Sequence, residues 1–242
     1  MLRFFRFRPP PGRHGLLFRT GWALGAGALW FVTLSVGWVL VYRVVPPPVT
    51  MTMVLDRNGF DKDWRSLARI DRSMVDAAIA GEDSRFCEHH GFDTAGIAYA
   101  LHRNVKGGRL RGGSTISQQT AKNVFLWQGT GWTRYARKGL ETWYSLLIEA
   151  LWPKRRIMEV YLNVAETGVG TYGVEAGAQR YFGHSAAHLS TIEAARIAAI
   201  LPAPKRREAV DPGGFTRRHG NSIAARGRVV RNGEYDACVY ED

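Results

Sequence analysis

After residue 65, the hydrophobic and polar positions of this chain indicate many helices and few strands. Capping residues and stop signals separate the helical segments. Ser190 with Glu193, for example, predicts a capping box for a helix that Pro202 ends. The predicted helices cover residues 74–80 (capped by Ser73), 94–106 (capped by Asp93), 115–123 (capped by Ser114), 133–152, 154–163, 172–182 and 191–201.

The segment before these helices has a different character. Residues 45–49, VPPPV, form a stiff spacer, because successive prolines favour an extended backbone. Residues 51–60 predict a small hairpin or an extended arm, with Asn58-Gly59 as its turn. We therefore expect one mainly α-helical domain that is preceded by a short arm.

One run near the N-terminus is wholly apolar: no charged side chain occurs from Gly21 to Tyr42. At about 1.5 Å per residue, a helix of this length crosses a hydrocarbon core of roughly 30 Å. Five Arg precede the run and Arg43 follows it, so the positive-inside rule places residues 44–242 outside the cytoplasm. A cleaved signal peptide is the alternative, but the run is long for one and no convincing cleavage site follows it.

The charge distribution supports a membrane location. Of the formal net charge of +12, residues 1–43 contribute six Arg and no acid. A basic excess that flanks an apolar run fits an anionic membrane surface better than nucleic acid, and we expect no nucleic-acid partner. The predicted divisions are a cytoplasmic basic tail (1–20), a transmembrane helix (21–43), a Pro-rich spacer with a juxtamembrane arm (44–64), and the helical domain (65–242).

The chain has two cysteines, Cys87 and Cys238. Two widely spaced thiols do not make a metal framework, and the sequence leaves open whether they form a disulfide. Because Cys87 lies inside an acidic segment, its position favours a small buried apolar residue.

The first segment with candidate chemistry is GEDSRFCEHHG, residues 81–91. It places Glu82 and Asp83 directly after a predicted helix end. A carboxyl group beside apolar residues has its pKa raised, which suits proton transfer near neutral pH. Taken alone, the acidic pair is more typical of a solvated helix terminus than of a catalytic site.

The second segment is GGSTISQQTAKN, residues 112–123. On a helix, Gln118 and Lys122 share one face, and Gln119 and Asn123 share the adjacent stripe. Such a surface can hydrogen-bond sugar hydroxyls and offer a cation to phosphate. The alternative is an ordinary N-cap followed by a polar helix face.

The third segment is R-K-x-x-E, with Arg137, Lys138 and Glu141 on one predicted helix. It could hold a diphosphate, with a possible divalent ion near Glu141, or it could be a surface salt bridge of little energetic value. Between the second and third segments, residues 124–135 carry several aromatic side chains. These could be a buried core loop or exposed anchors that reach a bilayer.

Together these segments resemble the peptidoglycan glycosyltransferases, which comprise monofunctional biosynthetic enzymes and the glycosyltransferase half of class A penicillin-binding proteins. The first motif matches as ED-x-x-F-x-x-H-x-G, and the second as GGSTIxQQxxKN with Ser117 where Thr is frequent. Residues 157–163 and 194–204 resemble the fourth and fifth motifs and are mostly core, with Glu159 and Asn163 expected to brace the site. The resemblance covers roughly residues 65–232.

The resemblance implies a lysozyme-like helical fold and a reaction that polymerises lipid II into β-1,4-linked glycan with release of undecaprenyl diphosphate. Glu82 would be the general base, and Glu141 would assist the donor side directly or through Mg²⁺ or Mn²⁺. No other cofactor is expected, because the diphosphate already activates the donor. The substrate-binding residues would be Asp83, Phe86, His89, Ser114, Thr115, Gln118, Gln119, Lys122, Asn123, Arg137 and Lys138.

The resemblance also implies the setting of the enzyme. The stretch from 165 to 183 and the end of the chain at residue 242 favour the monofunctional branch, without a transpeptidase domain. The expected location is the bacterial inner membrane, with the catalytic domain in the periplasm. The expected partners are lipid II, the growing glycan strand, membrane lipids, transpeptidases, and division or elongation proteins.

Two other functions remain possible from the sequence. A lysozyme-like lytic transglycosylase or hydrolase would use one acidic Glu on existing glycan, but it would not need the ordered second and third motifs. A catalytically silent membrane scaffold is disfavoured, because both Glu82 and Glu141 are present.

Overall fold

A computed structural model describes residues 15–94, Gly96, Ala98, 113–128 and 131–241. Most of the predicted helix after Asp93, the first Gly of the second motif and part of the aromatic loop lie outside these residues. The described chain is mainly helical, as predicted. Its helices are α1 (Leu16–Val44), α2 (Met51–Val54), α3 (Arg72–Glu82), α4 (Ile116–Phe125), α5 (Thr133–Leu151), α6 (Lys154–Val164), α7 (Val174–Phe182), α8 (Thr191–Ile200), α9 (Gly214–Asn232) and α10 (Ala237–Tyr240).

Three short strands, β1 (Asp61–Lys62), β2 (Glu166–Gly168) and β3 (Thr171–Tyr172), form a small sheet in the order β1-β3-β2. β2 and β3 are antiparallel, whereas β1 pairs with β3 in parallel. Short 3₁₀ turns at Leu67–Arg69 and Ala186–His188 complete the described elements.

The segment 51–60 is not the predicted hairpin. Met51–Val54 is a single helical turn that Thr50 caps, and the strand that follows the segment pairs with a partner more than one hundred residues later. The predicted turn is confirmed, because Gly59 has φ +71° and its N–H donates to the carbonyl oxygen of Asp56. A turn depends on local backbone preferences, whereas a strand's partner depends on how the domain closes.

Several helix boundaries differ from the prediction by one or two residues. α7, for example, begins at Val174 rather than at Tyr172, which belongs to β3, and the shifts at α3 and α4 concern the motifs. Asp71, not Ser73, caps α3 by accepting a hydrogen bond from the Ser73 N–H at 2.8 Å. Thr115, not Ser114, caps α4, and the Gln118 side chain closes the capping box. At the other end of α3, Glu82 is the last helical residue rather than the first residue after the helix. The Ser190–Glu193 capping box of α8 is confirmed.

The core has α3 at its centre. α3 packs against α8 and α9, while α4 packs against α5 and α6. Residues 74–80 are buried on every face of α3. The packing at Gly81 is close, because a Cβ at that position would lie 3.3 Å from Ile223 Cδ1 of α9. This packing fixes the position of the last residue of α3, Glu82.

Helix α1 is the one described helix that is long and apolar enough to cross a membrane. Its C-terminal third packs on the domain, while most of the preceding side chains are exposed. Trp143 Nε1 donates to Ser35 Oγ at 3.1 Å, and Trp152 Nε1 donates to the Val39 carbonyl at 2.8 Å. These contacts attach the apolar helix to α5 and to Trp152 just after it, so the domain lies close to α1.

The two cysteines form a disulfide, Cys87–Cys238, with 5.5 Å between their Cα atoms. The sequence had left this pairing open, and Cys87 is partly buried against the core, near the buried position that was expected for it. The bond joins positions that are 151 residues apart, and no local pattern reveals such a pairing.

Candidate active site

A cleft of about 800 Å³ opens at the C-terminal end of α3. All three predicted motifs contribute to its walls. The lining residues include Glu82 at the end of α3 with Asp83 and Arg85 just after it; Ser114 and Thr115 just before α4 with Gln119 and Lys122 on it; Arg134, Arg137, Lys138 and Glu141 on α5; Pro202 after α8; and His219 and Arg226 on α9.

Glu82 lies in this cleft with one of its oxygens held from the neighbouring helix. Gln119 Nε2 of α4 donates to Glu82 Oε2 at 2.8 Å. Burial raises the pKa of the Glu82 carboxyl above its usual value near 4.5, and the Gln119 hydrogen bond and the charges of Lys122 and Arg207 partly oppose this shift. A carboxylate with a raised pKa is a stronger base, which suits proton abstraction.

Asp83 connects the first motif to the second. The buried Asp83 carboxylate accepts from His89 Nε2 at 2.8 and 3.0 Å and from the Ile116 N–H at 3.0 Å. Since a carboxylate only accepts, His89 carries its proton on Nε2. The arrangement holds the start of α4 against the loop after α3, and thereby sets where Gln119 meets Glu82.

Two predicted substrate-binding residues of the first motif do not line the cleft. Phe86 is fully buried, with the Lys154 ammonium 4.5 Å from its ring centroid. His89 is also buried, and its ring packs edge-on against Phe86. Both side chains shape the segment that directly follows α3 rather than contact the cleft.

The second motif is divided between the cleft and the core. Thr115, Gln119 and Lys122 present one face of α4 to the cleft, with Ser114 at its entrance. Gln118 and Asn123, which were also expected to contact substrate, do not line it. Gln118 instead donates to and accepts from Thr115 in the capping box and is buried there.

The third motif forms a compact ion cluster on α5. Arg137 Nη1 lies 2.8 Å from Glu141 Oε2, and Lys138 Nζ lies 2.5 Å from Glu141 Oε1. Lys122 of α4 is close enough to interact with all three of these charges. Three cations therefore surround one carboxylate, and the net positive charge favours an anion in the cleft.

The protonation of Lys122 responds to this environment. Burial lowers its pKa below the usual 10.5; Glu141 and Glu82 oppose that shift, while Arg137 and Lys138 add to it. An incoming diphosphate would stabilise the charged ammonium and raise the pKa again.

The surroundings of Glu141 bear on the possible Mg²⁺ or Mn²⁺ ion. Both carboxylate oxygens of Glu141 contact cationic side chains. Within the described ranges, no group of three His, Cys, Asp or Glu side chains could hold a metal by itself. A divalent ion at Glu141 would therefore have to replace Arg137 or Lys138 on the carboxylate and take its other ligands from the diphosphate and water.

The structure adds cleft residues that the sequence did not single out. Arg134 lies one turn before Arg137 on α5, so the helical spacing could have indicated it. His219 and Arg226 are four residues before and three residues after Ile223, the α9 residue that packs against Gly81. No sequence signal shows that α9 returns to the end of α3.

Glu159 and Asn163 do not brace the cleft as expected. Asn163 Oδ1 accepts from the Arg65 N–H at 2.8 Å and its Nδ2 donates to the Arg65 carbonyl. Glu159 Oε1 accepts from the Leu67 N–H at 3.3 Å. These side chains fix the segment that leads into α3.

The aromatic loop between α4 and α5 divides into a buried and an exposed part. Phe125 and Leu126 belong to the core. Trp132 and Tyr135, at the start of α5, are 79% and 81% exposed. They flank Arg134 of the cleft. The buried-core interpretation therefore holds for Phe125 and Leu126, and the exposure of Trp132 and Tyr135 is what the membrane-anchor interpretation requires.

The geometry so far is a buried carboxyl group and a cluster of cationic side chains in one cleft, and comparison with known proteins identifies the family. A family model described as transglycosylase matches residues 50–228. The chain belongs to the transglycosylase family. The predicted family and its mainly helical, lysozyme-like fold are thereby confirmed.

Relatives cover most of this transglycosylase. It is 50% identical to the biosynthetic peptidoglycan transglycosylase of Caulobacter vibrioides over 205 residues, which is 83% of this chain and 88% of the relative. The enzyme of the same name from Pseudomonas aeruginosa is 50% identical over 78% of this chain and 84% of its own. The one from Xanthomonas oryzae pv. oryzae is 46% identical over 93% of this chain and 94% of its own.

Proposed function

We propose that this transglycosylase is a peptidoglycan glycosyltransferase that polymerises lipid II, with Glu82 as the general base and the cluster around Glu141 as the site of the departing diphosphate. One observation supports this assignment above the others: Glu82 and the three cations Lys122, Arg137 and Lys138 line the same cleft. A base and an anion site side by side suit attack of a hydroxyl on a sugar that has a diphosphate leaving group.

The reaction begins with the proton of the acceptor. The Glu82 carboxylate accepts the proton of the acceptor's GlcNAc 4-hydroxyl, and the oxygen forms a bond to the anomeric carbon of the donor's MurNAc. The bond from that carbon to the diphosphate oxygen breaks, and its electron pair leaves with undecaprenyl diphosphate. Attack from the opposite face inverts the α configuration to β.

The departing diphosphate carries the charge that the cluster on α4 and α5 is built to stabilise. Arg137 and Lys138 keep their positions through Glu141, and Lys122 approaches from α4. Because these cations are positioned before the substrate arrives, little reorganisation is needed as the charge develops. Glu141 acts here by holding the cations in place.

The remaining motif residues have positioning roles. Gln119 holds one oxygen of Glu82, which leaves the other for the acceptor hydroxyl. Asp83 and His89 hold the start of α4 against the residues that follow α3. Ser114 and Thr115 lie at the cleft wall, where they can orient a sugar or phosphate.

The membrane arrangement follows from α1 and its flanking charges. We infer that α1 is a single-pass anchor in the bacterial inner membrane, with the N-terminus in the cytoplasm and the catalytic domain in the periplasm. Five Arg before the apolar run support this orientation. The Cys87–Cys238 disulfide supports it independently, because disulfides persist mainly outside the cytoplasm. Transpeptidases and division or elongation proteins are the expected partners.

The test is polymerisation of labelled lipid II by the purified full-length protein, compared with Glu82→Gln. The wild type should produce long glycan that lysozyme digests, and the variant should lose at least about 10²-fold in rate. Glu208→Gln, which removes an exposed carboxylate, is the matched control and should retain activity.

Other results would change the assignment. Shortening of added glycan strands, without polymerisation of lipid II, would favour the lytic alternative. Equal polymerisation by the wild type and Glu82→Gln would retain the function and move the base to another group, with Glu141 next to be tested.

A further inference from the structure

The end of the chain is docked on the domain rather than loosely attached. After α9 the backbone turns at Glu234, which has φ +54°, and then forms α10 against α6. Asp236 and Val239 have no exposed surface. We call residues 233–241 the C-terminal strap. Terminal segments that pack this closely are normally held by specific attachments.

The first attachment of the strap is to the beginning of α3. Asp236 binds Arg72, the first residue of α3, through two hydrogen bonds of 2.6 and 2.9 Å. This paired geometry between a guanidinium and a carboxylate fixes direction as well as distance. Just before the strap, Arg231 of α9 binds Asp76, one turn further along α3.

The second attachment is to the loop that follows the end of α3. Cys238 of the strap is bonded to Cys87. Cys87 lies four residues after Asp83 and two before His89. The side chains of Asp83 and His89 are hydrogen-bonded to each other at 2.8 Å. The strap therefore holds α3 at its start and the segment just after its end. We call this segment, residues 83–93, the motif loop.

The contacts continue from the disulfide to the candidate base. The loop that Cys87 anchors carries His89, His89 holds Asp83, and Asp83 accepts from the first N–H of α4. One turn into α4, Gln119 donates to Glu82 at 2.8 Å. Displacement of the loop would displace this series of contacts.

We propose that the C-terminal strap is a positioning element for the glycosyltransferase reaction, acting through the Cys87–Cys238 disulfide to hold the motif loop, and through it Gln119, in register with Glu82. This inference rests on the proposed function. Neither cysteine lines the cleft, so the disulfide would act on the reaction only indirectly. An oxidised disulfide would be required for full activity, and a dithiol reductant would convert it to two thiols with oxidation of the reductant.

The test uses the full-length protein in detergent or vesicles, assayed with lipid II before and after treatment with dithiothreitol. The chain has no other cysteine, so the reductant has one target in the protein. We expect reduction to lower the polymerisation rate by at least about 10-fold, and reoxidation to restore it. The double variant Cys87→Ser/Cys238→Ser should match the reduced wild type and should not respond to dithiothreitol.

The pH profile separates positioning from simple loss of stability. Glu82 is faced by Gln119 and Lys122 of α4, by the adjacent Asp83 and by the charge of Arg207. If Gln119 loses its hydrogen bond, the midpoint of the acidic limb should move up by about one pH unit. Partial unfolding would lower the amount of active enzyme and leave the midpoint unchanged.

Three results would overturn the proposal. Peptide mass spectrometry without reductant could find both thiols free in protein prepared from an oxidising compartment. The reduced enzyme could keep the rate and pH midpoint of the oxidised enzyme, which would overturn the strap's role alone. An oxidised wild type that polymerises no lipid II would overturn the proposed function together with this inference. Because reduction acts on folded protein, the test remains valid if the serine variant fails to fold.

Discussion

Gln119 donates its side-chain amide hydrogen to Glu82 at 2.8 Å, across the boundary between α4 and α3. The contact joins the second motif to the first at the candidate base. A hydrogen bond to a carboxylate stabilises its charged form, so this contact lowers a pKa that burial raises. The balance between the two effects sets the pH at which the Glu82 carboxyl group ionises.

Replacement of Gln119 should therefore shift the pH profile. In Gln119→Ala the carboxylate loses its donor, the pKa of Glu82 rises further, and the acidic limb of kcat/KM should move up by about one pH unit. The measurement is glycan synthesis against pH, with the exposed Gln128→Ala as the control. An unchanged midpoint would mean that the contact does not tune the base.

The two cations bound to Glu141 should differ in their effect on stability. The Arg137 side chain is 12% exposed and that of Lys138 is 48% exposed. Arg137→Ala removes one partner of a buried pair and should cost about 3 kcal/mol, whereas Lys138→Ala should cost about 1 kcal/mol or less. Denaturant unfolding of the two variants checks this difference.

The same two variants should be similarly impaired in catalysis. Each loses one positive charge from the diphosphate site, and we expect about a 10²-fold fall in polymerisation rate for both. Wild-type activity in Lys138→Ala would exclude Lys138 from the site of the leaving group.

Trp132 and Tyr135 should affect access to the lipid substrate and not the fold. Both are largely exposed beside the cleft, where aromatic side chains can enter the membrane interface. Trp132→Ala/Tyr135→Ala should raise KM for long-chain lipid II in vesicles by about 10-fold or more.

Two comparisons make the aromatic prediction specific. KM for a short-chain, water-soluble lipid II analogue should change little in the same double variant. Val229→Ala, which shortens an exposed apolar side chain on α9, should leave both values unchanged. An equal rise in KM for both substrates would indicate a role in the cleft itself.

Gly173 should be intolerant of a side chain. Its φ is +86°, and a Cβ would lie 2.9 Å from the carbonyl oxygen of Asn163. Gly173→Ala should therefore destabilise the protein by about 3 kcal/mol or more. Gly139→Ala, in open space within α5, should instead stabilise it by about 0.5–1 kcal/mol, because alanine is the better helix former. Thermal unfolding of both variants would test the contrast in sign.

Features that depend on neighbouring residues could be predicted from the sequence. The apolar run from Gly21 to Tyr42 lies within α1, the Ser190–Glu193 capping box forms, and α7 ends at Gly183 with φ +72°. Each depends on side-chain type over a few positions, where local sterics and hydrogen bonding dominate. The order and spacing of the motifs likewise sufficed to identify the family.

The tertiary structure decided which motif residues reach the cleft. Phe86 and Gln118 satisfy the family pattern as well as Glu82 and Gln119 do, yet the first two are buried and the others line the cleft. Whether a residue of the second motif reaches the cleft depends on how α4 packs against α5 and α6. It also depends on which side chains cap the start of α4, as Gln118 does. A linear pattern carries no information about that packing.

Local patterns in the sequence thus predicted α1, α3 to α8, the family and the chemical groups of the site. They did not predict α2, α9 or α10, and the β1–β3 pairing, the approach of α9 to α3 and the Cys87–Cys238 bond across 151 residues arise from the tertiary structure. These contacts join segments that are far apart in the sequence. Contacts between distant segments form only when the whole core closes, and their energies depend on side chains that no local window contains.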